Sequence, residues 1–466
     1  MKRVQLINAG VPEGCVREAM SSIGQVAKHG EKDELRHISR TIKSIIATPE
    51  KYAKSTGSHW YRLAEALLRE KHLAEEAASR DPVRFKQWGT DICPNALHQM
   101  YTACEIPIAR KAAVMPDAHL GYGVPIGCVL ATEGAVIPNA VGVDIGCRMQ
   151  LSVFDIPWDM FEHRNLPFRK VLLEETRFGA GCAFGTGERT HAVMDDDRWN
   201  AMRLLKNLRE KAASQLGTSG GGNHFVEFGY LDVGEGDPLG AGMDEGRYLA
   251  LMSHSGSRRM GMDIANTYHK LAKQRLPKAL KRFSELAWLD LDSDLGQQYW
   301  LAMNLAGDYA RANHDCIHKA IQKALGAECL ALIENHHNFA WKEIHDGKEL
   351  IVHRKGATPA EQGMLGVIPG SMADPAFVVS GKGNSDSLNS ASHGAGRKMS
   401  RTQAKKELDP REAFKYLESK GVELISAGLD EMPGAYKDIL QVMAEQADLV
   451  DTLARFDPKM VRMAGK

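Results

Sequence analysis

A mixed α+β fold is predicted by this 466-residue sequence. Runs rich in Val and Ile, broken by glycine and proline, are typical of strands and tight turns. They alternate irregularly with longer segments of helical periodicity, without the regular βαβ order that favours a doubly wound sheet. With 43% hydrophobic and 25% charged residues, the chain can bury a sizeable core and is not a disordered protein.

The first predicted unit is a helical extension at residues 1–85, which holds few glycines and many charges. Its clearest helix spans residues 59–79, where Trp60, Leu63, Leu67 and Leu68 fall on one apolar stripe. Because this glycine-poor, charge-rich composition ends before Asp91, we expect a second domain at residues 86–466.

The second domain begins with predicted strands up to about residue 156. Three helices are expected next, at residues 198–216, after Met262, and at residues 297–325. Strands and glycine loops return after Glu334, and a last helix is expected near Tyr436.

The charge balance and the cysteines narrow the class of protein. Lys and Arg total 59, as do Asp and Glu, so overall charge does not indicate a nucleic-acid partner, although a local basic groove remains compatible. The longest apolar stretch, residues 125–143, contains Glu133, Asn139 and two prolines, which excludes a membrane span there. The eight cysteines are scattered, without a CxxC pair, and indicate a reducing cytoplasm.

A metal site is the first chemistry that the sequence indicates. Asp144 and Cys147 are three residues apart with a glycine between them, so that both side chains can turn toward one ion, and a thiolate can bridge two. Alone, this pair is better interpreted as a turn aspartate and a buried thiol. Three histidines, His224 and His254 in glycine-rich turns and His337 in the segment ENHHNFAWKE, change that interpretation, because Cys, Asp and His together suit Mn, Co or Zn.

A fourth histidine, His393, lies in a glycine-rich turn and is followed by small residues and then by Arg397, Lys398 and Arg401. The small residues would let a phosphate approach, the cations would neutralise it, and the imidazole can attack phosphorus to give a phosphoramidate. The alternative is a histidine that caps a basic helix start.

Other motifs carry weaker signals. Gly220–222 precede His224 and could form a backbone nest for phosphate, or simply a flexible loop with a solvated histidine. The glycine motif at residues 121–127 turns the chain beside Asp117 and His119 and could be structural only. His314 and His318 lie four apart on one helix face, yet lack the glutamate of a metal-binding helix, so a packed or surface pair is favoured.

Together these segments resemble the RtcB family of GTP-dependent RNA-splicing ligases, which join RNA ends bearing a 3′-phosphate or 2′,3′-cyclic phosphate to 5′-hydroxyl ends. The motifs that carry the resemblance, in family order, are MPDAHLGYGVPIG, VGVDIGC, GGGNHFVE, HSGSR, HHN, RKGA, GVIPGSM, SHGAGRKMSRTQAK and DEMPGAYKDI. The match covers roughly residues 90–465 and implies a catalytic domain built around a two-metal cleft.

The resemblance also implies the roles of individual residues. Cys147 would bridge two Mn²⁺ ions, with His224 and His254 on one ion and Asp144 and His337 on the other; Zn²⁺ and Co²⁺ suit the same ligands. GTP would guanylylate His393, with Asp117 as a supporting acid. Positions implied to contact guanylate are Asn223, His224, Phe225, Val226, Glu227, His337, Asn338, Pro369, Gly370, Ser371, Met372, His393, Gly394, Ala395, Gly396 and Tyr436. Positions implied to face RNA phosphates are Arg258, Lys355, Arg397 and Arg401.

Three features depart from the family pattern. Ala464 stands where the family has a guanine-contacting lysine, with Lys466 beyond it, and Ala376 stands where a guanylate-contacting serine is expected. The helical extension has no counterpart in the minimal family and indicates a divergent branch, in RNA repair or tRNA splicing. Two other functions stay open: a metal-dependent RNA-end phosphodiesterase or phosphatase, and an inactive RNA-binding scaffold. No protein partner is indicated, and we expect one positive, metal-bearing cleft in a neutral protein.

Overall fold

The structure, a computed structural model, describes residues 1–30, 32–164, 166–185 and 187–465. Its α-helices are α1 (Arg3–Asn8), α2 (Val16–His29), α3 (Lys32–Ala47), α4 (Pro49–Tyr52), α5 (Tyr61–Ser79), α6 (Pro94–Cys104), α7 (Pro138–Val141), α8 (Trp158–Glu162), α9 (Phe168–Glu175), α10 (Arg203–Gln215), α11 (Arg258–Arg275), α12 (Asp294–Leu325), α13 (Arg401–Glu407), α14 (Pro410–Ser419) and α15 (Ile439–Ala444).

The strands are β1 (Phe85–Gln87), β2 (Ala109–His119), β3 (Ile126–Thr132), β4 (Ala135–Val136), β5 (Arg148–Phe154), β6 (Phe225–Val233), β7 (Gly246–Ser255), β8 (Leu289–Asp290), β9 (Cys329–His336), β10 (Asn338–His345), β11 (Lys348–Lys355), β12 (Ala357–Pro359), β13 (Leu365–Ile368), β14 (Ala376–Gly381), β15 (Ser390–Ser392), β16 (Glu423–Ser426) and β17 (Val450–Met463). Helices and strands are mixed throughout, which confirms the predicted α+β class.

Two sheets organise the molecule. A five-stranded sheet has the order β1-β2-β3-β11-β10, and an eight-stranded sheet has the order β13-β14-β17-β6-β7-β5-β9, with β16 beside β17. Most neighbours are antiparallel; β1 with β2 and β16 with β17 are parallel. Small pairs, β12 with β15 and β4 with β8, complete the strand pairing of the described residues.

The antiparallel order of β6, β7, β5 and β9 brings alternate strand ends to one edge of the larger sheet. Phe225 at the start of β6 pairs with His254 near the end of β7, and Met149 near the start of β5 also pairs with His254. Arg148 pairs with His336, the last residue of β9. Residues that directly precede or follow these ends must therefore meet at that edge.

Between β9 and β10 the chain passes from the larger sheet to the smaller one through a single residue, His337. This residue lies between β9, in the eight-stranded sheet, and β10, in the five-stranded sheet. Its N–H donates to the Cys147 carbonyl at 3.0 Å, and its own carbonyl accepts from Gly356 at 2.7 Å. His337 is thus fixed by backbone on both sides of the junction.

The predicted central helices are present as α10, α11 and α12. Helix α12 begins at the N-cap Ser293, whose hydroxyl accepts from Gly296 N–H, and ends at Gly326 in the left-handed conformation. Helix α11 begins at Arg258, before the predicted start, and α10 begins later than predicted because Asp197–Asn200 forms a 3₁₀ turn.

The C-terminal region differs from the prediction. The helix expected near Tyr436 is the short α15, and the chain then forms the long strand β17, which the sequence reading did not anticipate. Pro458 lies inside β17, where the register to β6 shifts, and a proline within a run argues against a strand.

Residues near the N-terminus form helices α1 to α5 around their own apolar cluster, which includes Leu6, Ile42, Ile45 and Leu63. Arg17 and Asp294 form an ion pair of 2.5 Å, and the 3₁₀ turn Glu13–Cys15 between α1 and α2 contacts α11. Among the described residues, no helix has the length and apolar character needed to cross a membrane.

Candidate metal centre and nucleotide cleft

Five predicted ligands meet at the edge where β5, β6, β7 and β9 end. Cys147 Sγ lies 3.1 Å from His254 Nε2 and 3.5 Å from His224 Nε2. His254 Nε2 is also 3.1 Å from His337 Nε2, and His224 Nε2 is 3.0 Å from Asp144 Oδ2. The fold thus gathers thiol, imidazole and carboxylate donors from across the sequence.

Cys147 belongs to two overlapping groups of donors. One group is Cys147, His254 and His337, and the other is Asp144, Cys147 and His224; within each group the donor atoms lie within 4.8 Å of one another. The shared thiol agrees with a bridging role. The histidines are grouped differently from the expected sets, so the assignment of ligands to each ion stays a prediction.

The environment of the cluster fits metal cations. Burial lowers the pKa of His254 to about 3, with the nearby His224 contributing, and lowers the pKa of His337 well below its ordinary value. Burial also raises the pKa of the Cys147 thiol, so that its ionisation here calls for a compensating cation. For Asp144, burial acts to raise the pKa, but the hydrogen bond and charge of His224 outweigh it and the pKa is lowered.

The ring nitrogens support the same conclusion. His254 Nδ1 lies 3.0 Å from the Asn223 carbonyl oxygen, which can only accept, so a neutral His254 ring keeps its Nε2 lone pair for the cluster. The close Nε2 pair of His254 and His337 holds at most one shared proton if both rings are neutral. Neutral imidazoles around a thiol and a carboxylate are the donor set that borderline metals take.

His393 lies beside this cluster and is oriented by Asp117. Its Nδ1 is 2.6 Å from Asp117 Oδ2, and the N–H groups of His393 and Gly394 donate to the same oxygen at 3.1 and 3.3 Å. Asp117 is fully buried, and the ring centroids of His393 and His337 are 4.9 Å apart. Because a carboxylate accepts, Nδ1 carries the proton and Nε2 keeps its lone pair.

The approach of the two segments requires glycine at position 396. Gly396 has φ +72°, and a Cβ there would lie 2.1 Å from the Asp117 carbonyl oxygen. The His393 loop can therefore pass directly over the end of β2, where Asp117 is held.

All five metal-site residues and His393 line one cleft of about 1060 Å³. The residues predicted to contact guanylate line it too, except Val226. Phe225 and Glu227 face the cleft, whereas Val226 between them is buried in the cluster on the opposite face of β6 with Phe228. Because side chains alternate between the two faces of a strand, the side chains of Phe225, Val226 and Glu227 cannot all face the cleft.

Two predicted phosphate-facing arginines are already engaged by acids. Arg397 Nη1 donates to Glu431 Oε2 at 3.1 Å, and Arg401 donates to Glu431 and to Asp430. The Tyr436 hydroxyl also donates to Glu431, which is 2% exposed, and Arg397 lies over the Tyr436 ring. Glu431 was not singled out from the sequence; its place in the DEMPGAY motif was the available signal.

The other two predicted cations have different positions. Lys355 lines the cleft, where its Nζ donates to the carbonyls of Tyr122 and Asn139, and burial lowers its pKa to about 8. Arg258 lies outside the lining and donates to Thr218 Oγ1 at 3.1 Å and to the Gly179 carbonyl at 2.8 Å. Arg258 braces loops behind the cluster.

The side chains that line the cleft do not by themselves supply the expected excess of positive charge, so the positive cleft stays a prediction. Acidic lining residues are Asp91, Asp144, Glu227, Glu285, Asp374 and Glu431, and basic ones are Lys355, Arg397, Lys398, Arg401 and Lys437. Excess positive charge would therefore have to come from bound cations.

The remaining expectations concern the two histidines of helix α12 and the positions that depart from the family pattern. His314 and His318 are a buried pair that shares the Ser253 hydroxyl, at 2.6 and 2.8 Å. Ala376 is buried at the start of β14 and does not line the cleft, whereas Met463, next to Ala464, does. Lys466, which lies beyond Ala464 in the sequence, is outside the described residues.

Comparison with known proteins finds relatives that match most of this chain. The family model described as tRNA-splicing ligase RtcB matches residues 99–201 and 167–464. The chain is 34% identical over 401 residues to RNA-splicing ligase RtcB of Escherichia coli strain K12, covering 80% of this chain and 95% of that protein. It is 30% identical over 438 residues to tRNA-splicing ligase RtcB of Thermococcus kodakarensis, covering 78% and 89%. It is 31% identical over 434 residues to RNA-splicing ligase RtcB of Mycobacterium tuberculosis, covering 77% and 98%.

Proposed function

The chain belongs to the tRNA-splicing ligase RtcB family, and from that membership we propose that it is an RNA ligase that uses GTP. Its substrates would be RNA ends with a 3′-phosphate or 2′,3′-cyclic phosphate and RNA ends with a 5′-hydroxyl. The observation that carries the proposal is the Asp117-oriented ring of His393, which lies beside the thiol–imidazole–carboxylate cluster in one cleft.

The cluster would hold divalent cations. Asp144, Cys147, His224, His254 and His337 supply the donors, and we propose Mn²⁺, with Zn²⁺ and Co²⁺ compatible with the same atoms. When bound, the cations would supply Lewis-acid stabilisation of the charge that develops on phosphate oxygens.

His393 would be the nucleophile toward GTP. Asp117 holds the proton on Nδ1, so the Nε2 lone pair is free to attack the α-phosphorus. A nitrogen–phosphorus bond forms, the bond from that phosphorus to the bridging oxygen breaks, and pyrophosphate leaves. The ring then carries positive charge, which the buried Asp117 carboxylate balances.

Two further transfers would complete ligation. A 2′,3′-cyclic end is first hydrolysed by water to a 3′-phosphate and a free 2′-hydroxyl. An oxygen of the RNA 3′-phosphate then attacks the same phosphorus, the bond to Nε2 breaks, and GMP is joined to the RNA end through a diphosphate. The oxygen of the second RNA's 5′-hydroxyl then attacks the 3′-phosphorus, the bond from that phosphorus to the diphosphate bridging oxygen breaks, GMP leaves, and the hydroxyl proton passes to solvent. This activation is needed because a phosphate oxygen is a poor leaving group.

The N-terminal helices are proposed to form a separate module of residues 1–85 that helps select the RNA. Their own apolar cluster and the start of the family match at residue 99 support that division. We also propose a cytoplasmic location, for which the eight cysteines, all free, are consistent with a reducing compartment.

Synthetic RNA oligonucleotides test the proposal. Wild-type protein with GTP and Mn²⁺ should join a 3′-phosphate strand to a 5′-hydroxyl strand, and His393→Ala should give no joined product. Opening of a cyclic phosphate without joined product, with any nucleotide, would instead support the phosphodiesterase suggested by Ala376 and Ala464. Protein that binds RNA but neither opens nor joins ends would support the scaffold.

A further inference from the structure

The loop between β2 and β3 presents apolar side chains at the mouth of the cleft. Tyr122 is 80% exposed, Leu120 is 54% exposed, and both line the cleft with Val143, which is 49% exposed. Apolar and aromatic side chains that line a concave site are typical of ligand-binding pockets. Neither the metal cluster nor the guanylate positions use these three residues.

The backbone of this loop is held rigidly although the ring of Tyr122 is exposed. Gln99 donates from Nε2 to the Gly121 carbonyl at 2.7 Å and accepts from Gly121 N–H at 3.0 Å. Lys355 Nζ donates to the Tyr122 carbonyl at 2.6 Å. Gly123, with φ +75°, lets the chain pass the Glu285 carbonyl, from which a Cβ would be 2.7 Å away. The backbone that carries the ring is thus held in place, which lowers the entropic cost of ordering this loop against a ligand.

The loop is also continuous with the reactive centre. Strand β2 carries Asp117, which orients His393, and ends at His119, three residues before Tyr122. Val143 directly precedes the ligand Asp144. A nucleotide whose phosphate lay at His393 and the cluster would have its base within the same cleft.

We infer that Tyr122, flanked by Leu120 and Val143, is a stacking subsite for the terminal base of an RNA end, an inference that rests on the proposed RNA ligase function. Unpaired bases at RNA ends are free to stack on aromatic rings, and every base offers such a face. Lys355 and the other polar groups of the cleft favour a nucleotide over an apolar peptide as the occupant. Either the 3′-phosphate strand or the 5′-hydroxyl strand could supply this base.

Binding of single RNA strands tests the inference without relying on ligation. Fluorescence anisotropy would measure the affinity of wild type, Tyr122→Ala and Tyr122→Phe for a 3′-phosphate strand and for a 5′-hydroxyl strand, each with a normal or an abasic terminal nucleotide. For one of the two strands, Tyr122→Ala should weaken binding of the normal end by about 5- to 150-fold. It should leave binding of the abasic end unchanged, and Tyr122→Phe should bind like wild type.

Controls separate this inference from the function beneath it. Tyr101→Ala removes another exposed tyrosine, outside the cleft lining, and should not alter binding. Equal binding by wild type and Tyr122→Ala, or an equal loss for normal and abasic ends, would overturn the subsite. Absence of GTP labelling and ligation in wild type would overturn the proposed function, whatever the binding results.

Discussion

Nδ1 of His393 lies 2.6 Å from Oδ2 of Asp117, a carboxylate that solvent does not reach. The same oxygen accepts two backbone N–H groups of the His393 loop, so the contact fixes both the ring and its backbone. One consequence is a single free ring nitrogen, Nε2. The other is a buried negative charge beside the ring when that nitrogen is bonded to phosphorus.

Asp117→Asn should slow guanylylation by roughly 10²-fold, because the amide keeps an acceptor but loses the charge that balances the modified ring. Asp117→Ala should slow it further, since the ring is then no longer oriented. The measurement is the initial rate of label transfer from GTP to protein. Metal content should stay at the wild-type level in both variants, because Asp117 is not in either donor group. A rate for Asp117→Asn within threefold of wild type would contradict the role.

Cys147→Ala should remove most bound metal, because both donor groups contain this thiol. His224→Ala leaves Cys147, His254 and His337 in place and should retain about one ion where wild type retains two. Elemental analysis after dialysis against Mn²⁺ or Zn²⁺ measures the ratio. Cys329→Ala is the matched control, since Cys329 is exposed and outside the groups. Two retained ions in Cys147→Ala would show that the thiol bridges nothing.

Stability should fall in mild acid partly through His353. Burial lowers the pKa of His353 to about 4, and its Nε2 accepts from Ile137 N–H at 2.9 Å, so the folded protein holds the ring neutral. The unfolded chain binds a proton below its ordinary pKa of about 6.5, so the free energy of unfolding decreases as pH falls from about 6.5 to about 4. The loss from this group approaches 1.4 kcal/mol per pH unit.

Denaturant unfolding of wild type and His353→Gln at several pH values measures this contribution. The variant should be less stable at pH 7 and should show a shallower decline between pH 6 and 4.5. Above pH 7.5 the two slopes should coincide. Identical slopes in the acid range would mean that His353 is not held neutral by the fold.

The salt dependence of RNA binding should separate Lys398 from Arg258. Lys398 is exposed and lines the cleft, whereas the Arg258 guanidinium donates to Thr218 and Gly179 behind it. Lys398→Gln should reduce the slope of log affinity against log salt by about 0.7, the value for one phosphate contact on a single strand. Arg258→Gln should keep the wild-type slope. A reduced slope for Arg258→Gln alone would instead support the sequence-based prediction that Arg258 faces an RNA phosphate.

The sequence was sufficient for the fold class and for helices α10 to α12, whose periodicity is long and regular. Strand β17 was missed because Pro458 and alternating charges obscure its pattern, and only pairing with β6 and β14 reveals it. Tertiary pairing of this kind has no local signal.

Candidate ligands were recognisable because cysteine, aspartate and histidine side chains are the donors that borderline metals take. The division of these ligands into two groups could not be predicted, since it depends on which strand ends meet at the sheet edge. Glu431 was overlooked for a related reason: a single glutamate in a loop has no distinguishing pattern until Arg397, Arg401 and Tyr436 converge on it.

Covalent labelling of His393 tests the central claim most directly. Wild-type protein incubated with α-labelled GTP and Mn²⁺, without RNA, should acquire a label that is stable to base and lost in acid, as a phosphoramidate is. Peptide mapping should place it on His393, and His393→Ala should acquire none. Equal labelling of wild type and His393→Ala, or no labelling of either, would contradict the account.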